Sequence, residues 1–193
     1  MIIDISQEVF SCKVFPGDPA PEKERILSIE KGDVCNLTAF SMCAHNGTHV
    51  DAPFHFIDHA DTIDKVGLEP FVGDCYVARF EGNVTAEAAA DMVAKARAAG
   101  AAHRILIAGK ATVTEDAAHV FAQSDIKLIG NESQTVGPEN APMEVHLILL
   151  GAGIVLLEGI ILTDVSEGKY FLSAAPLNLA GCDGAPCRAY LII

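Results

Sequence analysis

The 193-residue chain contains no tryptophan, and aromatic residues make up only 6% of it. Pocket walls built from rings therefore have few residues to draw on. Phe15, Phe54 and Phe56 are the rings that stand beside the residues able to carry chemistry. Basic side chains are also scarce: 13 Lys and Arg face 26 Asp and Glu, for a formal net charge of −13. A surface that follows a phosphate backbone needs a basic stripe. None is present, which argues against nucleic acid as a partner. There are six cysteines, Cys12, Cys35, Cys43, Cys75, Cys182 and Cys187, but no Cys-x-x-Cys pair. Such spacing is not a disulfide framework, and these residues read as small buried hydrophobes. No apolar run reaches the roughly 20 residues that a bilayer-spanning helix takes. The longest, residues 147–157, is broken by Gly151 and Gly153, so no membrane is expected. The opening Met-Ile-Ile-Asp-Ile-Ser lacks the basic region and apolar core of a signal peptide, and the expected location is cytoplasmic.

What remains is the composition of a folded protein. Half of the residues are apolar and a fifth are charged, enough to bury a core. There is no linker, low-complexity tract or internal repeat, so residues 1–193 are expected to form one domain. Strands are expected at residues 1–5, 36–43, 74–80, 104–108, 126–130, 154–157, 170–174 and 188–193, from alternation or short apolar runs. Residues 85–99 are Ala-rich with helical spacing, begin at Thr85 and stop at Gly100. A second helix follows Thr114, with Glu115 and Asp116 suited to its positive end. A third is expected over residues 142–150. Strands outnumber helices and do not alternate strictly with them. That pattern favours a mixed α/β or α+β fold over a doubly wound one.

The most informative stretch is residues 45–55, His-Asn-Gly-Thr-His-Val-Asp-Ala-Pro-Phe-His. Three of the seven histidines fall here together with one aspartate. His45, His49, Asp51 and His55 are all odd-numbered, and on an extended strand residues two apart share a face. A helix would have to tolerate Gly47 inside it and Pro53 soon after. Pro53 also places any strand at an edge or ends it in a loop. Imidazole with carboxylate is a ligand set for divalent first-row metals. The competing reading is a solvated polar edge with chance histidines. His146 lies in an otherwise apolar helix and Glu158 ends an apolar strand. Singly they read as a satisfied core histidine and a solvated carboxylate; they become ligands if both face one site. His59, with Asp58 and Asp61, is expected in a loop, and His103 and His119, beside helix termini, are expected to be exposed. Gly151-Ala-Gly153 lacks the rest of a dinucleotide fingerprint, and Ser41, Ser133 and Ser173 lack the turn that exposes a nucleophile.

Residues 45–55 carry all seven fixed positions of His-x-Gly-Thr-His-x-Asp-x-Pro-x-His, and so resemble the signature of the bacterial kynurenine formamidase and cyclase-like family. The likeness continues through Phe15-Pro-Gly-Asp18, Thr62-Ile-Asp64, the segment from His146 to Glu158, and Ala175 to Ala189. It departs at Gly130-Asn-Glu132-Ser-Gln134, where the family usually shows Gly-x-Asp, and in a shorter middle region. The resemblance implies a swivelling β/β/α domain, a homodimer, and one or two divalent metals per site, zinc first and manganese second. It implies metal ligation by His45, His49, Asp51, His146 and Glu158, and an acid/base role or second-metal ligation for His55. Phe15 and Asp18 would touch a small-molecule substrate. The implied reaction is hydrolysis of a small amide, N-formylkynurenine to kynurenine and formate. The alternatives are an isatin-like lactam or other small amide or ester, a non-hydrolytic cyclase or dehydratase, or an inactive metal-binding relative.

Overall fold

The computed structural model describes residues 1–193. Thirteen strands occur in chain order: β1 (Ile2–Asp4), β2 (Glu22–Leu27), β3 (Leu37–Ser41), β4 (His49–Asp51), β5 (Val72–Arg79), β6 (Gly82–Val84), β7 (Arg104–Ala108), β8 (Ala111–Val113), β9 (Leu128–Asn131), β10 (Val155–Glu158), β11 (Gly168–Ser173), β12 (Gly184–Pro186) and β13 (Tyr190–Ile192). Three α-helices join them, α1 (Ala86–Ala98), α2 (Glu115–Ala122) and α3 (Met143–Gly151). Nine strands form one sheet in the order β1-β13-β11-β5-β7-β9-β10-β4-β12. Its centre, β5-β7-β9-β10, is parallel, and both flanks are antiparallel. The fold is mixed α+β, as the sequence predicts.

The central strands are apolar on both faces, as parallel strands covered on both sides must be. Neighbouring residues go to different cores. Ile105, Ile107, Ile129 and Leu156 join one core with α1, α2 and α3 through Met92, Phe121 and Leu149. Leu106, Leu128, Val155 and Leu157 join the other, which the flanks of the same sheet close with Val50, Ala185, Leu172 and Leu191. The layers are thus helix, sheet, and curled sheet, the β/β/α arrangement implied by the resemblance. The helices start where the sequence places them. The hydroxyls of Thr85 and Thr114 accept the Ala88 and Ala117 amides, each at 3.3 Å.

Two strands have no apolar signature. β2 reads Glu-Lys-Glu-Arg-Ile-Leu and pairs only with β3, in a hairpin apart from the main sheet. β12 is three residues long and is set by its pairing with β4. No helix is long and apolar enough to cross a membrane.

Phe121 is fully buried where α2 meets the helix-side core. Phe121→Ala is expected to lower unfolding stability by about 3–5 kcal/mol. Urea denaturation checks this, and a loss below about 1 kcal/mol would mean that this core is not packed as described.

Candidate metal centre

β4 delivers two of its three side chains to one point. Val50 faces the curled core, so His49 and Asp51 face the helices. The antiparallel neighbour β10 pairs Glu158 with His49 and Leu156 with Asp51. Leu156 packs among the helices, and Glu158, two residues on, lies on that same face. α3 then lowers His146 onto it from above. All four are buried, with 0–2% of their surface exposed.

His45 and His55 arrive differently from the sequence expectation. The extended stretch is only His49–Asp51. His45 enters through the turn that precedes β4, where Gly47 takes a φ of +66° that favours glycine. His55 ends a single 3₁₀ turn, Pro53–His55. The two imidazoles nevertheless stack, with centroids 4.0 Å apart. The odd-number phase therefore describes His49 and Asp51 alone; backbone turns bring in the others.

The distances sort these groups around Asp51. Its Oδ1 lies 2.9 Å from His45 Nδ1 and 3.4 Å from His49 Nε2. Its Oδ2 lies 3.7 Å from His146 Nε2. Glu158 sets Oε2 3.5 Å from His49 Nε2 and Oε1 3.3 Å from His146 Nε2. Two ligand atoms on one tetrahedral zinc stand about 3.4 Å apart, so most of these separations suit a shared ion. His49 Nε2 and Asp51 Oδ2 are buried without any hydrogen-bond partner, an arrangement that is costly unless something else meets them. The remaining imidazole nitrogens are occupied. His49 Nδ1 donates to the Gly47 carbonyl at 3.0 Å and His146 Nδ1 to the Pro142 carbonyl at 2.8 Å. Each ring is thus held with its Nε2 towards the carboxylates, the usual support of a ligating histidine. The donor set fits a divalent metal.

Electrostatics agree. Burial works to lower the pKa of His45, but its hydrogen bonds to Asp183 and Asp51 outweigh that and raise it to about 10. Burial likewise opposes the rise at His49 and His146, which the neighbouring carboxylates impose. The Asp51 carboxyl, which burial alone would push up, is held well below its ordinary value by His45 and His49. The carboxylates demand positive charge at this point, and a divalent cation supplies it as protons on imidazoles would.

A cavity of about 210 Å³ opens on the cluster, lined by Phe15, Asp18, His55, Phe56 and Gln134 among others. Phe15 and Asp18 of the early loop thus stand in the wall of this cavity. Phe54 does not line it, and Phe56 does, with its ring 4.5 Å from that of His146. His59, His103 and His119 are exposed. One residue escaped the sequence reading. Asp183 Oδ2 lies 2.8 Å from His45 Nε2 and 3.0 Å from His55 Nδ1. Those bonds, His45 first, hold its carboxyl far below the ordinary range. Its place in the closing segment carried the only available signal.

Comparison with known proteins points the same way. A family model described as "Putative cyclase" matches residues 3–138. The kynurenine formamidase of Salinibacter ruber is 32% identical, the alignment covering 98% of this chain and 96% of that protein. A solved structure described as a "potential metal-dependent hydrolase with cyclase activity" superposes with a TM-score of 0.81 at 26% identity, over 99% of this chain and 96% of that one. Isatin hydrolase A from Labrenzia aggregata has a TM-score of 0.83 at 21% identity, over 100% of this chain and 93% of that one, a likeness of fold.

Protons and a cation compete for the same imidazole nitrogens, so metal binding releases protons. Affinity for Zn²⁺ is therefore expected to fall as pH is lowered from 7.5 to 5.5, as measured by chelator competition. Affinity independent of pH would rule out ligation by these imidazoles.

Proposed function

We propose, on the premise that this chain belongs to the cyclase family, that it is a metal-dependent hydrolase of a small amide and that N-formylkynurenine is its substrate. The observation that carries this reading is the convergence of buried, unpartnered His49 Nε2 and Asp51 Oδ2 with Glu158 and His146 beneath a small cavity. The curated relative, a kynurenine formamidase, supports the choice of substrate.

His45, His49, Asp51, His146 and Glu158 would hold the metal, with Asp51 offering one oxygen to His45 and His49 and the other towards His146. Asp51 and Glu158 each turn one oxygen towards His49 and the other towards His146, which favours two ions over one. Zinc is the first choice and manganese the second, since imidazole and carboxylate serve both. When bound, such an ion lowers the pKa of water and polarises a carbonyl.

The chain supplies the rest. His55 has one nitrogen on Asp183, and its other nitrogen carries a proton from the attacking water to the leaving amine, a transfer worth about 10²–10⁴-fold. Hydrolysis of the formamide then gives formate and the free aryl amine. Phe15 and Phe56 provide apolar wall, and Asp18 a polar contact, to the bound substrate. Residues 1–193 act as one domain. The exposed Ile26, Leu37 and Phe40 of the β2–β3 hairpin support a homodimer. All six cysteines are free thiols, which suits the reducing cytoplasm.

Formate release from N-formylkynurenine is expected to stop on chelation and return with Zn²⁺ or Mn²⁺. His55→Ala is expected to lower kcat by at least about 10²-fold while retaining metal. Bound metal without release would discard the substrate and turn the search to lactams; product mass separates hydrolysis, which adds one water, from cyclisation. Light scattering is expected to give twice the 20.4 kDa chain mass, and the mass of a single chain would refute the dimer.

A further inference from the structure

We infer that Asp183 is a positioning residue that sets the tautomers of both His45 and His55, tying cation binding to proton transfer through one carboxylate oxygen. This rests on the reading of His45 as a ligand and His55 as the acid/base group.

The geometry is specific. Both imidazoles meet the same atom, Asp183 Oδ2, at 2.8 and 3.0 Å. An ionised carboxylate only accepts hydrogen bonds, so both facing nitrogens carry hydrogen: Nε2 on His45 and Nδ1 on His55. Opposite nitrogens are left for the two functions. His45 turns Nδ1 towards Asp51 Oδ1, 2.9 Å away, and without a metal that nitrogen donates a hydrogen too; a cation replaces that hydrogen, while Asp183 keeps the one on Nε2. His55 keeps its Nε2 lone pair for a proton. The rings stack at 27° between planes, which matches their sharing one acceptor.

The carboxylate is not needed to hold its own backbone. The Asp183 carbonyl accepts the Ala52 amide at 2.9 Å, and the Cys182 carbonyl accepts that of Ile63 at 2.9 Å. Just after it, β12 pairs with β4, with Gly184 opposite Asp51. A side chain at Gly184 would stand 2.8 Å from His45 Cε1 and 2.7 Å from the Val50 carbonyl. The missing side chain there lets the His45 ring lie against the strand and reach Asp183. The segment thus fixes Asp183 by main-chain bonds and leaves its side chain to the two imidazoles.

The test uses Asp183→Asn and histidine-labelled protein. Zn²⁺ titration of the metal-free protein against a chelator is expected to show about 10–100-fold weaker binding in the variant. In zinc-loaded wild type, ¹⁵N–¹H spectra are expected to place hydrogen on His45 Nε2 and His55 Nδ1. In the variant, His55 is expected to become a mixture of tautomers, and kcat to fall with KM little changed. A wild-type spectrum with hydrogen on the opposite nitrogens overturns the inference, even if the variant fails to fold. So does a folded variant with unchanged zinc affinity and tautomers. If wild type hydrolyses no amide, the functional proposal fails, while titration and spectra still decide the role of Asp183.

Discussion

A carboxylate with no exposed surface must be met by positive charge or by donors, and Asp51 is such a carboxylate. Removing an ion from water costs several kcal/mol unless partners replace the hydration. Around Asp51 the chain gathers three imidazoles, and it adds a second buried carboxylate, Glu158, rather than a lysine or arginine. Nearby lysine would neutralise the pair and leave nothing for an ion to do. The excess of negative charge inside the cluster is what turns a buried polar group into a cation site.

Much of this was legible because short-range chemistry repeats in short-range sequence. His49 and Asp51 share a face through simple strand alternation. The parallel centre of the sheet shows as apolar runs, and two of the three helices announce their starts with threonine. Other parts depend on contacts that no local window contains. β12 is a strand only because β4 lies beside it. β2, with four charged residues in succession, pairs in a hairpin outside the main sheet, where no core rewards alternation. Asp183 reaches its imidazole partners across 128 and 138 positions. Its chemistry is ordinary for an aspartate until the fold places both rings on it.

The departure at Glu132-Ser133-Gln134 also has a physical account. Glu132 accepts the amides of Gly109 at 2.6 Å and Leu162 at 2.7 Å, pinning two loops at the ends of the central strands. Gln134 donates to the Gly47 carbonyl at 3.0 Å and accepts from Gln7 at 2.8 Å. Gln7 in turn donates to the Gly159 carbonyl, which also receives the Thr48 hydroxyl. These uncharged side chains brace the turn that carries His45 and the residue after Glu158. They add no charge to a centre whose balance is already set.

The pairing of β4 has a consequence for how the protein can fail. The strand is three residues long and is held on both edges, by β10 and by β12. A slip of one residue would turn Val50 towards the helices and drive His49 and Asp51 into the apolar layer. Glu158 and His146, carried by β10 and α3, would keep their places but lose the carboxylate and imidazole that β4 supplies. Such a chain would keep two of the four buried donors, fewer than the three protein ligands of an open catalytic site. The full ligand set therefore hangs on the register of one three-residue strand, and the two neighbours that clamp it guard that register.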